Sequence, residues 1–342
     1  MRTIALTAAL LVVIGVAPDA RRAATAQVPV SGQPEPFDRW LSSLMAEARV
    51  RGFGERLLND TLAGLEPLPR VITSDRTQAE VLVTFDRYLA SRVTPVVVRR
   101  GRQLADEHAR VLRNIERTYD VQGRFIVAIW GIETRYGRVT GNTPVFRALA
   151  TLAWEPRRSA FFRGELFDAL TMAQKGEVEP SSMTGSWAGA MGQAQFMPSS
   201  YLKYAVDFDG DRRRDIWRST PDALASVANY LKGYGWDGDR TWGREVLVPG
   251  AARETIAAGV AVRTDGCSAM RAMTERLPLA RWQQLGVRRT NGAALPRVDV
   301  EAALLHVGER SFLVYPNYDG LLRYNCAHNY ALTVAALADR LQ

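Results

Sequence analysis

The segment from Gln122 to Asn142 reads QGRFIVAIWGIETRYGRVTGN and predicts a buried helix that ends beside an acidic residue. Its apolar residues recur with helical spacing, at Phe125, Ile126, Ile129, Trp130 and Ile132. Glu133 follows Ile129 by four positions and Phe125 by eight, so the three side chains share one helix face. Burial on that face disfavours the charged form of a carboxyl group and raises its pKa. Glu133 is therefore a candidate general acid near neutral pH.

The residues after Glu133 leave a second interpretation open. Gly137 and Gly141 are expected to break the helix just beyond the acid, which leaves space for a ligand. A glutamate at a helix end also commonly turns to water or pairs with a nearby cation, here Arg135 or Arg138. Perturbed carboxylates are a minority of all carboxylates, so the choice depends on the rest of the chain.

The first 26 residues are typical of a secretory signal peptide. Arg2 precedes an apolar run from Ile4 to Val16, and a small-residue site follows at Ala24–Ala26. The run is shorter than the roughly 20 residues of a membrane span, although an uncleaved anchor helix is the alternative. No cysteine stands directly after the run, where a lipid anchor would be attached, and no later stretch is apolar enough to span a bilayer. We expect cleavage near Ala26 and an exported, periplasmic protein without a lipid anchor or transmembrane span.

Charge and cysteine content indicate the environment of the mature protein. The chain carries a formal charge of +8, of which the predicted signal peptide removes +2, leaving +6. This charge suits an anionic partner such as a cell wall or an acidic membrane surface, and export makes nucleic acid an unsuitable partner. The mature protein has two cysteines, Cys267 and Cys326. An even number of cysteines in an oxidising compartment predicts a disulfide, with two separate buried thiols as the alternative.

The order of sequence patterns predicts a mainly α fold of the α+β class. Helical spacing dominates the first half, where one long helix from Pro95 is expected to include Ile115. Strand patterns begin after Trp242, and Ala302–Tyr315 predicts a β-hairpin with a four-residue turn, GERS. The predicted divisions are a linker (27–36), an N-terminal α domain (37–95), a core (96–240), a small β-containing domain (241–325) and a C-terminal helix that packs back on the α part (326–342).

The stretch from Gly185 to Ser200 is rich in glycine and alanine, which allows close approach of the backbone to a ligand. Ser186, Gln193 and Gln195 offer neutral hydrogen bonds that suit a sugar hydroxyl or an amide better than a phosphate. The spacing is not that of a phosphate-binding loop. A tight turn between packed helices is the alternative.

The stretch DFDGDRRRD at Asp207–Asp215 resembles a calcium-binding loop. It departs from that pattern at Arg212, where glycine is usual, and at Arg218, where a bidentate glutamate is usual. Asp222 in the next helix is a candidate closing ligand. The alternative is a loop without metal, in which the three arginines at 212–214 offset the carboxylates.

Taken together, these stretches resemble the lytic murein transglycosylases of the membrane-bound type B family. The resemblance extends from about Phe37 to the end of the chain. It is carried by Ile129–Gly137 (IWGIETRYG), Gly185–Gly192 (GSWAGAMG), Gln195–Tyr201 (QFMPSSY), Asp207–Asp211 (DFDGD), Ser226–Tyr230 (SVANY) and Tyr324–Asn325.

The resemblance implies a lysozyme-like α core with an N-terminal α domain and a small β domain. It also implies cleavage of the β-1,4 bond between N-acetylmuramic acid and N-acetylglucosamine in peptidoglycan. Glu133 would act alone, first as acid on the bridging oxygen and then as base on the muramyl C6 hydroxyl. That hydroxyl would close on C1 to give a 1,6-anhydro product. A standard glycosidase needs two carboxyl groups, and no second conspicuous acid stands outside the Asp207–Asp222 cluster.

The resemblance assigns further roles to individual residues. The substrate-binding set is Ser186, Gln195, Tyr230, Tyr324, Asn325, Tyr88, Arg157 and Arg158. In this set Arg157 and Arg158 would face the carboxylates of the peptide stem, with a solvated basic turn as the alternative. The set for a structural calcium ion is Asp207, Asp209, Asp211, the backbone of Arg213, and Asp222. No cofactor is expected for the chemistry itself.

The expected partner is the glycan strand of peptidoglycan, bound by a monomer, with wall-synthesis or division proteins as further partners. Two other functions stay open at this point. A muramidase of similar fold would hydrolyse the same bond, and a catalytically silent protein would only bind the wall. The retained Glu133 favours an enzyme.

Overall fold

Helices make up most of the computed structural model, which describes residues 35–76 and 83–342. The predicted signal peptide and residues 27–34 of the predicted linker lie outside this described part. The helices are α1 (Phe37–Val50), α2 (Glu55–Thr61), α3 (Pro69–Arg76), α4 (Phe85–Arg92), α5 (Pro95–Glu107), α6 (Ala109–Tyr119), α7 (Gly123–Thr134), α8 (Val145–Trp154), α9 (Ser159–Gln174), α10 (Pro198–Tyr204), α11 (Thr220–Gly233), α12 (Gly250–Gly259), α13 (Leu279–Gln284), α14 (Pro316–Tyr324) and α15 (His328–Arg340).

The central helix is α7, which is apolar and buried on nearly every side. Residues 125–132 are all buried, because α5, α6, α11 and the last helix, α15, pack around α7. A helix that is hydrophobic all round belongs in the core of a protein. Glu133, in the last turn, is only half-buried. Glu133 is therefore partly buried because it lies at the end of a helix that is buried all round. The single apolar face that the spacing predicts contributes less to this burial.

The long helix predicted from Pro95 is interrupted in the structure. It divides at His108, whose φ of −101° and ψ of 15° are not helical, into α5 and α6. The His108 ring packs edge-on against the Trp130 ring of α7, with centroids 5.8 Å apart. Because α5 and α6 both contact α7, the change of direction lets each turn its apolar face to the same helix.

Within residues 35–76 and 83–342, two sheets accompany the helices. The strands are β1 (Thr143–Pro144), β2 (Thr184–Gly185), β3 (Gly243–Leu247), β4 (Leu277–Pro278), β5 (Arg288–Arg289), β6 (Glu301–Val307) and β7 (Arg310–Val314). β1 pairs with β2, and the other five form an antiparallel sheet in the order β4-β6-β7-β3-β5.

The five-stranded sheet separates two hydrophobic cores. Ala303, Leu305 and Phe312 face the large core that includes the helices around α7. Their neighbours Leu304 and Leu313 face a smaller core formed with α12 and α13. Alternate residues of a strand point to opposite faces, so both faces of the hairpin are covered. This explains why its sequence is continuously apolar.

The hairpin turn is shorter than the sequence predicts. Val307 pairs with Arg310, so Gly308 and Glu309 alone form the turn, and the predicted four-residue turn is wrong. Gly308 has a φ of +57°, in the left-handed region that a tight two-residue turn requires.

One disulfide joins the β-containing part to the start of α15. Cys267 and Cys326 are bonded, with Cα atoms 6.2 Å apart, which confirms the predicted bridge over two separate thiols. Within the residues that the structure describes, no helix is both long and apolar enough to cross a bilayer.

We predict that the disulfide is a large contribution to stability. Its two cysteines are 59 positions apart, and closing a loop of this length removes unfolded-state entropy worth about 4 kcal/mol. The Cys267→Ser/Cys326→Ser protein should lose roughly this free energy of unfolding in a denaturant titration. Adding reductant should then lower the unfolding midpoint of the native protein but not that of the variant. Identical midpoints for native and variant proteins would contradict the prediction.

Candidate active site

The chain reverses direction immediately after Glu133. Arg135, Tyr136 and Gly137 have φ values of 51°, 62° and 76°, three successive left-handed conformations. The Arg135 and Tyr136 N–H groups donate back to the carbonyls of Gly131 and Trp130, which closes the end of α7. Neither the Arg135 nor the Arg138 guanidinium forms an ion pair within the described part of the chain. Glu133 is thus fixed at a sharply turned helix end.

Gln193 connects this helix end to the glycine-rich stretch. The Trp130 indole N–H donates to Gln193 Oε1 at 2.9 Å, and the Thr134 hydroxyl lies 3.1 Å from the Gln193 carbonyl. Gln193 Nε2 in turn donates to the Trp217 carbonyl at 3.2 Å. Gln193 is buried, so it holds the scaffold together, and the sugar contact suggested by its sequence pattern is not available to it.

Ser186 and Gln195 lie on the same folded stretch. Isolated β-bridges pair Met191 with Gly185 and with Phe196 in this stretch. The Ser186 hydroxyl oxygen accepts from the Ala188 and Ala190 N–H groups at 3.3 and 3.2 Å. Gln195, at a φ of 50°, donates both amide hydrogens to the carbonyls of Thr140 and Gly192. Both side chains are half-buried and held in one orientation, with the Ser186 proton and the Gln195 carbonyl oxygen left to meet a ligand.

Tyr230 and Tyr324 form an aromatic wall beside this stretch. Their ring centroids are 4.7 Å apart, and both rings contact Phe196. The Tyr324 hydroxyl donates to the Ala194 carbonyl at 2.6 Å, and the Tyr230 hydroxyl donates to the Arg323 carbonyl at 2.6 Å. Tyr324 is the last residue of α14, a helix that the sequence pattern did not predict, and Asn325 follows it half-buried.

Tyr330 is a member of this site that sequence reasoning missed. It is 2% exposed, and its ring stacks on Tyr324 with centroids 6.4 Å apart. Burial, followed by the charge of Glu133, holds the pKa values of Tyr330 and Tyr324 well above their usual range. Tyr88, also buried, acts on Tyr330 as well. The sequence signal that could have identified Tyr330 was its position six residues after Tyr324, in the first turn of the last helix.

The five residues Glu133, Tyr88, Tyr230, Tyr324 and Tyr330 are called the Glu133 site below. The Tyr330 hydroxyl is buried without a hydrogen bond of normal geometry, although it lies close to the Glu133 carboxyl. In the described part of the chain, Glu133 is the carboxylate whose charge acts on Tyr324. The site therefore brings one carboxyl group together with neutral phenol hydroxyls.

Arg157 and Arg158 lie elsewhere, on a buried aspartate. Arg157 Nε donates to Asp75 Oδ2 at 2.7 Å, and Arg158 binds the other oxygen, Oδ1. Asp75 is 2% exposed and lies in the last turn of α3, whereas the arginines follow α8. The arginine side chains keep 47% and 36% of their surface exposed, so each has one face toward solvent. The pair therefore joins α3 to the core, and its contact with a peptide stem stays a prediction.

The predicted metal-binding aspartates do come together. Asp207, Asp209, Asp211 and Asp222 each place a carboxylate oxygen within 4.8 Å of the others. Asp222 is fully buried and accepts from the N–H groups of Phe208, Asp209 and Asp215. Burial is the main cause of its raised pKa, which the charge of Asp209 increases further.

The arginines of this loop do not neutralise its acids. The loop carboxylates accept from backbone N–H groups, including those of Arg212 and Arg213, while the Arg214 guanidinium pairs with Glu177. Four clustered carboxylate oxygens, one of them from the buried Asp222 with its raised pKa, fit a hard divalent cation such as calcium. Arg212 takes the left-handed turn conformation, φ 69°, that glycine usually supplies there.

Comparison with known proteins identifies the family. The profile described as "Transglycosylase SLT domain" matches residues 36–339. The chain belongs to this transglycosylase family. The resemblance to lytic murein transglycosylases that the motifs predict is confirmed.

Relatives of this transglycosylase include membrane-bound lytic murein transglycosylase B of Escherichia coli K12. That protein is 38% identical over 250 residues, which are 72% of this chain and 64% of the relative's length. The solved structure of SltB3 from Pseudomonas aeruginosa with NAG-anhNAM-pentapeptide has a TM-score of 0.79 and 41% identity, covering 90% of this chain and 79% of that one. Escherichia coli Slt35 in complex with calcium has a TM-score of 0.72 and 31% identity, covering 90% and 92%. These matches confirm the predicted lysozyme-like, mainly α fold.

We predict that Asp75→Ala destabilises this transglycosylase by on the order of 2 kcal/mol, because two guanidinium groups lose their buried acceptor. The loss should be smaller than for a fully buried ion pair, since both arginines can turn to water. The matched control is Glu66→Ala, because Glu66 is 84% exposed and only 3.8 Å from Arg147. The control should change the free energy of unfolding by less than about 0.5 kcal/mol. Equal losses in the two variants would refute the assignment.

Proposed function

We propose that this transglycosylase cleaves the β-1,4 bond between N-acetylmuramic acid and N-acetylglucosamine in peptidoglycan and leaves a 1,6-anhydro-muramyl end. The observation that carries the proposal is the half-buried Glu133 among neutral tyrosine hydroxyls at the end of a buried helix. The aligned part of the Escherichia coli relative is 64% of its length, so its activity is extended to this chain as a proposal. The SltB3 complex with NAG-anhNAM-pentapeptide supports an anhydro product here.

Glu133 is assigned both proton transfers. As the bond between C1 and the bridging oxygen breaks, the Glu133 carboxyl gives its proton to that oxygen, which becomes the leaving hydroxyl. The muramyl C6 hydroxyl then attacks C1 and gives its proton to the Glu133 carboxylate. One bond breaks, one forms, and the carboxyl group returns to its starting state. Because the nucleophile belongs to the substrate, no second carboxylate is needed to activate water.

The neighbouring residues are assigned to binding and orientation. Tyr324 and Tyr330 stay protonated at neutral pH because their pKa values are raised, so they add no negative charge beside the reacting sugar. Ser186 and Gln195 are fixed by backbone hydrogen bonds and suit the hydroxyl and acetamido groups of the sugars. Tyr88, Tyr230 and Asn325 complete the wall of the site. Arg157 and Arg158 are assigned to the peptide stem with their exposed faces.

Calcium is proposed as a structural ion held by Asp207, Asp209, Asp211 and Asp222, with the backbone of Arg213. The fit is supported by the clustered oxygens and by the raised pKa of buried Asp222. The Slt35 structure in complex with calcium supports the choice of ion. When bound, calcium would offset the mutual repulsion of these carboxylates, and it would take no part in the chemistry.

The proposed location is the periplasm, after cleavage of the signal peptide near Ala26. The proposed divisions of the chain are those predicted from its sequence, with residues 96–240 as the catalytic core. A monomer acting on glycan strands, with wall-synthesis or division proteins as further partners, completes the proposal.

We predict that Glu133→Gln removes lysis and leaves binding. Glutamine keeps the shape of the side chain, but its amide is neither a general acid nor a general base, so clearing of purified sacculi should slow by about 10²–10⁴-fold. Cosedimentation with sacculi should be unchanged.

The matched control is Asp168→Asn on α9. Asp168 is also a partly buried carboxyl with a raised pKa, but its charge acts on Glu165 and not on the tyrosines of the site. The control should clear sacculi at the native rate. Native clearing by the Glu133 variant would show that another group is the acid.

We also predict that calcium raises the thermal unfolding midpoint by a few degrees, as saturation at about a hundred times the dissociation constant stabilises by about 2.7 kcal/mol. Asp211→Asn should remove most of this shift, because Asp211 is exposed and its change costs the fold little. Asp239→Asn, an exposed aspartate outside the cluster, should keep it. A calcium shift of the same size in both variants would place the ion elsewhere.

A further inference from the structure

The segment 260–276 joins α12 to β4 and packs into the large hydrophobic core. Met270 and Met273 are fully buried in that core. An antiparallel bridge between Val262 and Thr274 closes the segment into a loop. The segment, called the linking segment below, is therefore held in place by the core. It contacts α14, α15 and the connection between them.

The contact with α14 is a buried ion pair. Arg263 is 7% exposed, and its Nη1 donates to the two oxygens of Asp319 at 3.1 and 2.9 Å. Arg276, at the other end of the linking segment, binds the same carboxylate at 2.9 Å. Asp319 lies on α14, five residues before Tyr324. Charge-assisted hydrogen bonds of this kind are short and directional, so they fix where α14 lies on the linking segment.

The contact with the connection is the disulfide. Cys267 of the linking segment is bonded to Cys326, and the Ala269 N–H lies 3.4 Å from the Cys326 sulfur. Cys326 is two residues after Tyr324, a separation of at most about 7 Å along the chain, and four residues before Tyr330. Any shift of this connection would therefore move both tyrosines.

The contact with α15 is made at His328, its first residue. The Tyr318 hydroxyl of α14 lies 3.0 Å from His328 Nδ1, and the two rings stack. Burial lowers the pKa of His328 to about 4, while contact with the Ala269 backbone acts in the opposite direction. The neutral His328 ring thus touches both α14 and the linking segment, two residues before Tyr330.

The Glu133 site is sensitive to these contacts because of Tyr330. The Tyr324 hydroxyl is fixed by its hydrogen bond to the Ala194 carbonyl. The Tyr330 hydroxyl lies close to the Glu133 carboxyl but makes no hydrogen bond of normal geometry. Its place therefore depends on the packing of its ring and on where the backbone of α15 begins.

We propose that the linking segment is a positioning element for the reaction, through its ion pair with Asp319 and its disulfide. It acts through Tyr324 and Tyr330, which it keeps in place beside the Glu133 carboxyl. The assignment rests on the proposed function, in which Glu133 transfers the proton. Displacing a catalytic arrangement by about 1 Å from a distance can cost about 10²-fold in rate.

A positioning role has a kinetic signature that a purely structural role lacks. Ser186 and Gln195 are held by backbone groups of other segments, so glycan binding should not depend on the linking segment. Loss of either link should therefore lower kcat and leave KM unchanged in protein that is fully folded.

The test measures kcat and KM with soluble, uncross-linked glycan strands, and anhydro-ended products are quantified by chromatography. The temperature is one at which unfolding measurements show each variant to be folded. Asp319→Asn removes the charge that binds the two arginines, and Cys267→Ser/Cys326→Ser removes the disulfide. Each should lower kcat at least roughly tenfold without changing KM.

The matched control is Glu47→Gln. Glu47 also binds two guanidinium groups, those of Arg51 and Arg163, and it joins α1 to α9. The control therefore loses a comparable ion pair away from the linking segment. Its kcat and KM should both equal those of the native protein.

Reduction of the native protein gives a reversible form of the same test. A dithiol supplies two electrons and two protons to the bond between Cys267 and Cys326, which becomes two thiols, and the dithiol closes to a disulfide itself. The kcat of the native protein should fall on reduction and return on reoxidation. The Cys267→Ser/Cys326→Ser protein should not respond.

Native kcat in either folded variant, or in the reduced native protein, would overturn the proposal. A raised KM with unchanged kcat would do so too, as would an equal loss of kcat in Glu47→Gln. If the variant without the disulfide does not fold, Asp319→Asn decides. Native protein that releases reducing ends, or no products, would instead overturn the proposed reaction.

Discussion

The site is built around one carboxyl group, that of Glu133, at the carbonyl end of a helix that is buried on nearly every side. Two effects act against a negative charge at this position. The end of α7 carries the partial negative charge of the helix dipole, and the packed surroundings remove water from the side chain. Both effects oppose ionisation of a carboxyl group at such a position, which suits the proton donor that we propose Glu133 to be. The left-handed turn at 135–137 keeps the helix from extending over the carboxyl group.

The rest of the described chain fixes that position from several directions. Gln193 joins the end of α7 to the glycine-rich stretch and, through Trp217, to the segment after the aspartate loop. Tyr324 and Tyr330 come from the two sides of the connection between α14 and α15, and the disulfide anchors the same connection. The aspartate loop is thus connected to the end of α7 through Trp217 and Gln193. Rigid surroundings of this kind suit the proposed reaction, in which geometry takes the place of an activated water.

Local sequence patterns predicted the parts of the fold that local forces decide. The helical spacing around Ile129 and the paired apolar runs of the hairpin follow from periodicity, and both are present. The break at His108 and the helix ending at Tyr324 were missed, because packing against Trp130 and against the last helix decides them. Gln193 was grouped with sugar-binding residues. Its structural role was missed because its partners Trp130 and Trp217 are distant in sequence. Asp75 gave no local signal, and Tyr330 gave only its closeness in sequence to Tyr324, because each gains its role from residues brought close by folding.

The most direct measurement is digestion of purified sacculi in water labelled with heavy oxygen, followed by mass spectrometry of the released muropeptides. If Glu133 acts alone and the C6 hydroxyl closes on C1, the products carry anhydro-muramyl ends and no label. Reducing ends that contain the heavy isotope would show that water is the nucleophile. That result would contradict a single carboxyl group working without a second one.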